Sequence, residues 1–254
     1  MLELNTIHLG DSYKLIKNIP DKSIDLIYTD IPYLYDIGGA GGNSRVAKNK
    51  ARNKKEIKHL SNGIDYKIFK EFLRVLKTIN VCIWCSRNQL IDILNYFYES
   101  GGGTPSIHIW GKTNPFPSNS TWLSDIEYCV NFTQDHTVVN DEPIDFDKKF
   151  KYYISPANVE DKKLYKHPTI KPLNFVSNQI EVLTKKGDTV LDPFSGSGTT
   201  CVACKELERN FIGIEVNPEY HKISIDRLNG ITANGQMSIF TDVDKLEQLT
   251  IGVD

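Results

Sequence analysis

The stretch Thr189-Val190-Leu191-Asp192-Pro193-Phe194-Ser195-Gly196-Ser197-Gly198-Thr199-Thr200 decides the fold of this chain. Its first three residues are β-branched or aliphatic, and they predict a short buried strand that ends at Asp192. A Gly-Ser-Gly turn follows, and Thr199 to Glu208 then predicts a helix. Strand, glycine-rich turn and helix in this order form the nucleotide-binding corner of an α/β sheet. Glycines let the backbone approach a ligand closely, and the helix N-terminus offers free N–H groups.

A second strand, Phe211 to Glu215, follows that helix and also ends at an acid. Glu215 is placed to accept hydrogen bonds from the hydroxyls of a ribose. The loop lacks the third glycine of the dinucleotide fingerprint, which counts against NAD or FAD, and it also lacks the Gly-Lys-Ser/Thr of a phosphate-binding loop. A structural tight turn would explain the glycines alone. Two acids that end successive strands around the loop favour a nucleoside ligand without a pyrophosphate.

Length and composition indicate one α/β domain that carries an insertion. The chain has 254 residues, enough for a substantial core, and a formal net charge of −2, so a nucleic-acid contact must come from a local patch. The five cysteines include two Cys-x-x-Cys spacings. Both spacings lie in predicted regular elements, which favours core packing over zinc. The odd cysteine count without a signal peptide predicts a reducing, cytoplasmic setting, and no apolar run approaches the roughly 20 residues of a membrane span.

A second candidate site follows the strand predicted at Ile24 to Thr29. Asp30-Ile31-Pro32-Tyr33 places a carboxylate and an aromatic ring at the carboxyl end of this strand, where α/β sheets bind ligands. A turn acid and a packing tyrosine are the simpler interpretation of this motif alone. Beside a nucleoside site, a carboxylate that accepts an amino proton and a ring that stacks on a base suit chemistry on an exocyclic amine.

Two segments interrupt the alternation of strands and helices. Residues 133–166 are polar and irregular and form the candidate recognition insertion. Residues 38–61 begin with glycines and continue with basic side chains, which usually indicates a solvated, disordered loop. Because this flexible segment leaves directly from the Asp30 to Tyr33 corner, a mobile clamp on a phosphate backbone is favoured. Its candidate DNA contacts are Arg45, Lys48, Lys50, Arg52, Lys54, Lys55 and Lys58.

The remaining elements predict a mostly parallel sheet with an antiparallel edge. Leu4 to Leu9 is a first strand, and a helix capped by Asp11 or Ser12 follows it. Further helices are expected at Tyr66 to Lys77, Gln89 to Glu99 and Leu173 to Leu183. Further strands are expected at Val81 to Cys85, Ile107 to Trp110 and Glu127 to Phe132, where the last of these forms the antiparallel edge.

Together these motifs resemble the beta class of DNA amino-methyltransferases, which use S-adenosylmethionine. Asp30 to Tyr33 resembles the Asp-Pro-Pro-Tyr catalytic motif of that family, with isoleucine in place of the first proline. Asp192 to Thr200 matches the family's cofactor loop, and residues 167–172 match its His-Pro-Thr-x-Lys-Pro segment. The catalytic motif comes first, the recognition segment next and the cofactor loop last, and this order assigns the class.

The resemblance implies a Rossmann-like class I methyltransferase sheet with circularly permuted motif order, in a single domain spanning residues 1–254. Trp110-x-Lys112 matches a further family strand, and Lys112 is expected to contact DNA. No metal is expected. The resemblance also implies the residues that bind S-adenosylmethionine, which are Asp11, His167, Thr169, Lys171, Asp192, Pro193, Phe194, Ser195, Gly196, Ser197, Gly198, Thr199, Thr200 and Glu215.

The implied reaction is direct in-line methyl transfer to a base that has flipped out of duplex DNA. Tyr33 is expected to stack on the base, while Asp30 accepts one amino hydrogen and the carbonyl of Ile31 accepts another. Family members with aspartate in the first motif position mostly methylate the 6-amino group of adenine, and those with serine mostly methylate the 4-amino group of cytosine. Asp30 therefore favours adenine.

Several alternatives remain open at this point. They are a cytosine-N4 enzyme, an RNA or protein amide methyltransferase, a catalytically inactive DNA-binding relative and an NAD oxidoreductase. The basic segment and the chain order favour DNA, and the glycine spacing disfavours NAD. Because family members are often dimers, a homodimer is expected, and a cognate restriction endonuclease is a candidate partner. Gln236 to Phe240 resembles the short peptide that binds bacterial sliding clamps, although a packed terminal strand is the simpler interpretation.

Overall fold

The computed structural model describes residues 1–34, 63–115, 122–134, 143–167, 169–232 and 234–235. Its strands are β1 (Thr6–Leu9), β2 (Leu26–Asp30), β3 (Asn80–Cys85), β4 (Pro105–Lys112), β5 (Ile126–Thr133), β6 (Tyr152–Ser155), β7 (Thr189–Asp192) and β8 (Asn210–Glu215). Its α-helices are α1 (Ser12–Leu15), α2 (Ile68–Val75), α3 (Leu90–Glu99), α4 (Val159–Tyr165), α5 (Leu173–Leu183), α6 (Thr199–Glu206) and α7 (Pro218–Leu228). Short 3-10 turns occupy Ile16–Asn18 and Phe146–Lys149.

The strands form one eight-stranded sheet in the order β1-β8-β7-β2-β3-β5-β4-β6. Neighbouring strands from β1 to β3 are all parallel. Strand β5 runs antiparallel to β3 and β4, which lie on either side of it, and β6 pairs in parallel with β4. The mostly parallel α/β sheet is therefore confirmed. Its antiparallel strand is β5, and β4 and β6 lie outside it.

Alternating side chains of the central strands supply two separate hydrophobic clusters, one on each face of the sheet. Val81, Ile83 and Cys85 of β3 point into the cluster that contains Phe69 and Phe97 from α2 and α3. Cys82 and Trp84 of the same strand point into the cluster that contains Phe175 from α5 and Cys201 from α6. All six residues of β3 are buried, as expected for a strand that is covered on both faces.

All five cysteines are buried and free. Cys82, Cys129, Cys201 and Cys204 belong to the cluster beneath α5, and Cys85 belongs to the opposite cluster. The prediction that these cysteines serve core packing is confirmed. Among the helices that the structure describes, none has the length and apolar character needed to cross a bilayer.

Residues 152–165 of the segment 133–166 are more regular than their polar sequence suggests. Strand β6 extends the sheet beside β4, and the ring of Tyr153 stacks on Phe175 with centroids 5.2 Å apart. Helix α4 follows, and its Tyr165 is buried. The prediction of an irregular segment is therefore wrong for residues 152–165. An edge strand leaves part of its side chains in solvent, so Tyr152 and Ile154 lie outside the core and no alternating pattern marks the strand.

Candidate active site

A cavity of about 750 Å³ lies where the parallel strands end, and this volume is typical of a small-ligand site. Its wall brings together residues from the Asp30 to Tyr33 motif, the segment 167–172, the glycine loop and the ends of β1 and β8. Asp11, Asp30, Asp192 and Glu215 follow or end four different strands of the sheet. Cofactor candidates that also line the cavity are His167, Thr169, Lys171, Pro193, Phe194, Ser195, Gly196, Ser197, Thr199 and Thr200.

The loop between β7 and α6 adopts the backbone that its glycines predict. Gly196 and Gly198 have φ angles of +50° and +78°, a region that residues with a side chain rarely adopt. The N–H of Ser195 donates to the carbonyl of Ile214 at 2.9 Å, which fixes the loop to β8. Gly198 does not line the cavity, because it faces α7, where an added Cβ would lie 3.0 Å from Cβ of Ser224.

Glu215 closes the loop from the end of β8. Its Oε2 accepts the N–H of Gly196 and its Oε1 accepts the N–H of Asn217, both at 2.8 Å. Burial raises the pKa of Glu215 above its ordinary value, while these N–H donors oppose that rise. A carboxylate has about four acceptor positions, so Glu215 can still accept hydrogen bonds from a ligand.

Asp192 lies beneath the same loop at the end of β7. Its Oδ1 accepts the hydroxyl of Thr29 at 2.8 Å and the N–H of Phe194 at 3.2 Å. Burial raises the pKa of Asp192 to about 7. Asp192 thus shapes the start of the loop as well as lining the cavity.

The end of β1 joins the cavity through Asp11 and Ser12. Asp11 caps α1 by accepting the N–H of Tyr13 at 2.9 Å, which confirms Asp11 as the cap. The hydroxyl of Ser12 donates to the carbonyl of Pro193. This bond holds the first strand–helix connection against the glycine loop.

His167 has a buried imidazole in the cavity wall. Its Nδ1 lies 2.8 Å from the carbonyl of Thr169, and its ring meets Tyr220 edge-on with centroids 4.3 Å apart. Burial lowers the pKa of His167 to about 4. The N–H of Thr169 also lies 3.3 Å from Nδ1, whereas the other ring nitrogen, Nε2, has no hydrogen-bond partner among the described residues.

Sequence reasoning missed Arg227, which supports the glycine loop from α7. Its side chain is 2% exposed, and Nη1 donates to the hydroxyl of Thr199 at 2.7 Å. The guanidinium carbon lies 5.0 Å above the ring centroid of Tyr165 in α4. Arginine in a helix is usually exposed, so no local signal marked this residue as buried.

The catalytic candidate Asp30 ends β2, and a turn held by β3 and Gln89 follows it. The N–H of Ile31 donates to the carbonyl of Trp84 at 3.3 Å, and the Ile31 side chain is 2% exposed. Nε2 of Gln89 donates to the carbonyl of Pro32 at 3.0 Å, and its Oε1 accepts the N–H of Leu34 at 3.2 Å. Sequence reasoning had placed Gln89 only at the start of a helix.

Asp30, Ile31, Pro32 and Tyr33 form the candidate catalytic corner. Lys171 contacts this corner, although the family resemblance assigned it to the cofactor. Its Nζ donates to Oδ2 of Asp30 at 2.5 Å and to Oη of Tyr33 at 3.1 Å. It also lies 3.1 Å from Oε2 of Glu127. The side chain is 8% exposed, so the ammonium is held inside the cavity wall.

Glu127 is the other residue of the corner that sequence reasoning missed. It lies on the antiparallel strand β5, accepts the hydroxyl of Tyr33 at 3.2 Å and pairs with Lys112. Burial opposes its ionisation, but Lys171 and Lys112 together lower the pKa of Glu127 to about 2. Lys112, the predicted DNA contact, thus has its ammonium on Glu127, and its side chain is 18% exposed.

Two groups of predicted contacts lie outside the described residues. One is the proposed clamp peptide Gln236 to Phe240. The other is the set of basic residues expected to meet DNA, namely Arg45, Lys48, Lys50, Arg52, Lys54, Lys55 and Lys58.

Comparison with known proteins shows the family to which the chain belongs. A family model described as DNA methylase matches residues 24–226, and the chain belongs to this family. It is 30% identical over 247 residues to the type II methyltransferase M2.LlaDCHI of Lactococcus lactis subsp. cremoris, with 87% of each chain covered. It is also 29% identical over 245 residues to the type II methyltransferase M2.MboI of Moraxella bovis, with 89% of this chain and 88% of that protein covered.

Solved structures show the same fold. The crystal structure of the M1.HpyAVI–SAM complex is 28% identical, with a TM-score of 0.60 over 88% of this chain and 98% of that one. The cytosine-N4-specific PvuII DNA methyltransferase, 18% identical, has a TM-score of 0.61 over 87% of this chain and 85% of that one, which is a likeness of fold alone. The class I methyltransferase fold expected from the family resemblance is thereby confirmed.

Proposed function

We propose that this DNA methylase transfers a methyl group from S-adenosylmethionine to the 6-amino group of adenine at specific sites in duplex DNA. The observation that carries the proposal is the hydrogen bonding of the two carboxylate oxygens of Asp30. Its Oδ2 is held by Lys171, whereas its buried Oδ1 has no hydrogen-bond partner in the part of the chain that the structure describes. A carboxylate oxygen prepared in this way suits an incoming amino group.

The opposite side of the cavity fits the cofactor. Ser195 and His167 line the cavity. Oγ of Ser195 and Nε2 of His167 are buried and have no hydrogen-bond partner among the described residues, so a polar ligand could bind them. Glu215 can take the ribose hydroxyls, and the glycine loop leaves room for a nucleoside. The M1.HpyAVI complex with SAM supports the same cofactor. When bound, S-adenosylmethionine supplies a methyl group on a positively charged sulfur.

The residues of the catalytic corner would act on the amino group of the flipped base. Tyr33 stacks on the base, while Oδ1 of Asp30 and the carbonyl of Ile31 accept its two amino hydrogens. These bonds favour a pyramidal nitrogen whose lone pair faces the methyl carbon. The lone pair forms the new N–C bond, the C–S electrons remain on sulfur, and the released amino proton passes to Asp30. Alignment supplies much of the rate enhancement.

The remaining expectations are part of the same proposal. The chain acts as a single domain, residues 1–254, with segment 38–61 as a basic clamp on the phosphate backbone and segment 133–166 in target recognition. The setting is the cytoplasm of a bacterial or phage-infected cell. The names of the type II relatives support a restriction–modification role with a cognate endonuclease. A homodimer and a sliding-clamp contact through Gln236 to Phe240 rest on sequence alone.

The test is transfer of labelled methyl from S-adenosylmethionine to unmethylated duplex DNA, followed by nucleoside digestion and chromatography. We expect label in 6-methyladenine, and we expect Asp30→Ala to lower kcat at least about 100-fold with cofactor affinity retained. Label in 4-methylcytosine would overturn the base assignment and would match the specificity of the PvuII DNA methyltransferase. Turnover by Asp30→Ala comparable to the unaltered protein would refute the catalytic assignment. No label in duplex DNA, with label when RNA or protein is supplied instead, would refute DNA as the substrate.

A further inference from the structure

We propose that Lys171 and Glu127 are positioning residues, which together orient Asp30 and Tyr33 and keep Asp30 as a carboxylate with Oδ1 free for the base. This inference rests on the proposed function. It moves Lys171 from the cofactor, where the family resemblance put it, to the target base. It also gives a role to Glu127, a residue outside every motif in the sequence.

The hydrogen bonds of Lys171 carry the first step. An ammonium has three N–H donors, and Nζ of Lys171 has three acceptors around it, Asp30 at 2.5 Å, Tyr33 at 3.1 Å and Glu127 at 3.1 Å. All three donors are therefore used within the catalytic corner. No donor remains for a cofactor carboxylate unless one of these bonds breaks.

The same bonds determine which oxygen of Asp30 remains unpaired and where the hydroxyl of Tyr33 is held. Lys171 takes Oδ2 of Asp30, so the partnerless Oδ1 is the oxygen left for the amino group. The hydroxyl of Tyr33 lies between Lys171 and Glu127, at 3.1 and 3.2 Å. Two anchors on one hydroxyl hold the end of the ring that is expected to stack on the base.

Charge gives the second step. Asp30 and Glu127 would repel each other in a poorly solvated wall, and Lys171 lies between them. Lys112 neutralises the other oxygen of Glu127, so the corner holds two carboxylates and two ammonium groups. Desolvation raises the pKa of Asp30 above its ordinary value. Lys171 opposes this rise, whereas the negative charge of Glu127 adds to it. The other titratable groups that face Asp30 are Tyr28 on β2, Tyr33, Cys85 on β3 and Asp192 on β7.

This arrangement makes two replacements act in opposite directions. Lys171→Met removes the cation that favours the Asp30 carboxylate, so the acidic limb of the rate profile should move to higher pH by about 1–3 units. Glu127→Gln removes the anion that disfavours the carboxylate, so the same limb should move to lower pH. General destabilisation of the fold would not shift the two profiles in opposite directions.

The experiment measures methyl transfer to duplex DNA against pH in single turnovers, together with the Kd for S-adenosylmethionine, for Lys171→Met, Lys171→Arg and Glu127→Gln. Lys171→Arg keeps the charge and should keep the limb close to that of the unaltered protein. Lys77→Met is the matched control, because Lys77 also pairs with an aspartate, Asp25, at 2.7 Å, but outside the cavity. We expect the Kd to be unchanged in all four variants.

Two results would overturn the inference. One is a higher Kd of Lys171→Met for S-adenosylmethionine with an unchanged pH profile of the rate, which would show that Lys171 binds the cofactor. The other is a shift of the acidic limb of the rate profile in the same direction for Lys171→Met and Glu127→Gln. Titration of the Asp30 carboxyl by carbon-13 NMR tests the same opposite shifts without turnover. If the unaltered protein does not methylate DNA, the proposed function fails, and the NMR titration still decides whether Lys171 and Glu127 control Asp30.

Discussion

Ile31 shows why a departure from a family motif can be compatible with that motif's chemistry. Its N–H donates to the carbonyl of Trp84 and continues the pairing of β2 with β3 by one residue, a bond that proline cannot make. Its side chain is buried in the core cluster beneath α2 and α3. The residue thus supports the corner through its amide and its packing, and the proposed role of its carbonyl does not depend on the identity of its side chain.

Replacing this residue separates stability from catalysis. We expect Ile31→Pro to lower the free energy of unfolding by about 2 kcal/mol, from about 1 kcal/mol for the lost hydrogen bond and about 1 kcal/mol for lost apolar contact. The rate of methyl transfer should change little, because proline also supplies a carbonyl. Chemical denaturation and single-turnover kinetics check the two parts.

Ile31→Val is the control for this prediction. It keeps the N–H and should cost about 1 kcal/mol through the lost methylene alone. A folded Ile31→Pro protein without methyl transfer would show that the amide itself is needed for catalysis.

At the scale of elements, the loop between β7 and α6 depends on close packing as well as on glycine geometry. Gly198 and Gly187 share similar φ angles, +78° and +83°, but only Gly198 has neighbours within 4 Å of an added Cβ. Gly198→Ala should therefore lower the free energy of unfolding by about 1 kcal/mol for backbone strain plus a similar amount for the contact with Ser224. It should also weaken binding of S-adenosylmethionine, because the loop and α7 must move apart.

Gly187→Ala is the matched replacement, with the same strain and open space around it. We expect it to lose about 1 kcal/mol of stability and to bind the cofactor normally. Thermal unfolding and calorimetric titration measure both quantities. Equal cofactor affinity in the two variants would contradict a role for loop packing in binding.

For the whole molecule, the near balance of charge predicts that DNA binding depends on a local basic segment. The net charge is −2, and the basic run of segment 38–61 is the strongest positive feature of the sequence. Neutralising three lysines of this run should reduce the salt dependence of DNA binding by about 0.9 per lost phosphate contact, or about 2.7 in total. The replacements are Lys54→Gln, Lys55→Gln and Lys58→Gln.

The control neutralises Lys185, Lys186 and Lys205, which are exposed and do not line the cavity. Fluorescence anisotropy against salt concentration gives the slope for both triple variants. An equal slope for the two would mean that segment 38–61 does not contact phosphates. The affinity for S-adenosylmethionine should be unchanged in either case.

Local patterns predicted the parts of the site that lie at strand ends. The strand at Thr189, the glycine turn and the acids Asp30, Asp192 and Glu215 were all readable, because short apolar runs followed by polar residues indicate where parallel strands stop. Local patterns did not predict strand β6 or the burial of Arg227. An edge strand has a weak alternating pattern, and the burial of an arginine depends on what packs against its helix.

The sequence by itself determined the nucleoside corner, the catalytic motif and the order of the two along the chain, since each depends on residues close together in that chain. Only the tertiary structure decided that Lys171 belongs to Asp30 and that Glu127 completes the corner. Glu127 lies 94 positions from Tyr33 and Lys171 lies 141 positions from Asp30. Contacts over such separations arise from strand order and antiparallel register, which no local spacing encodes.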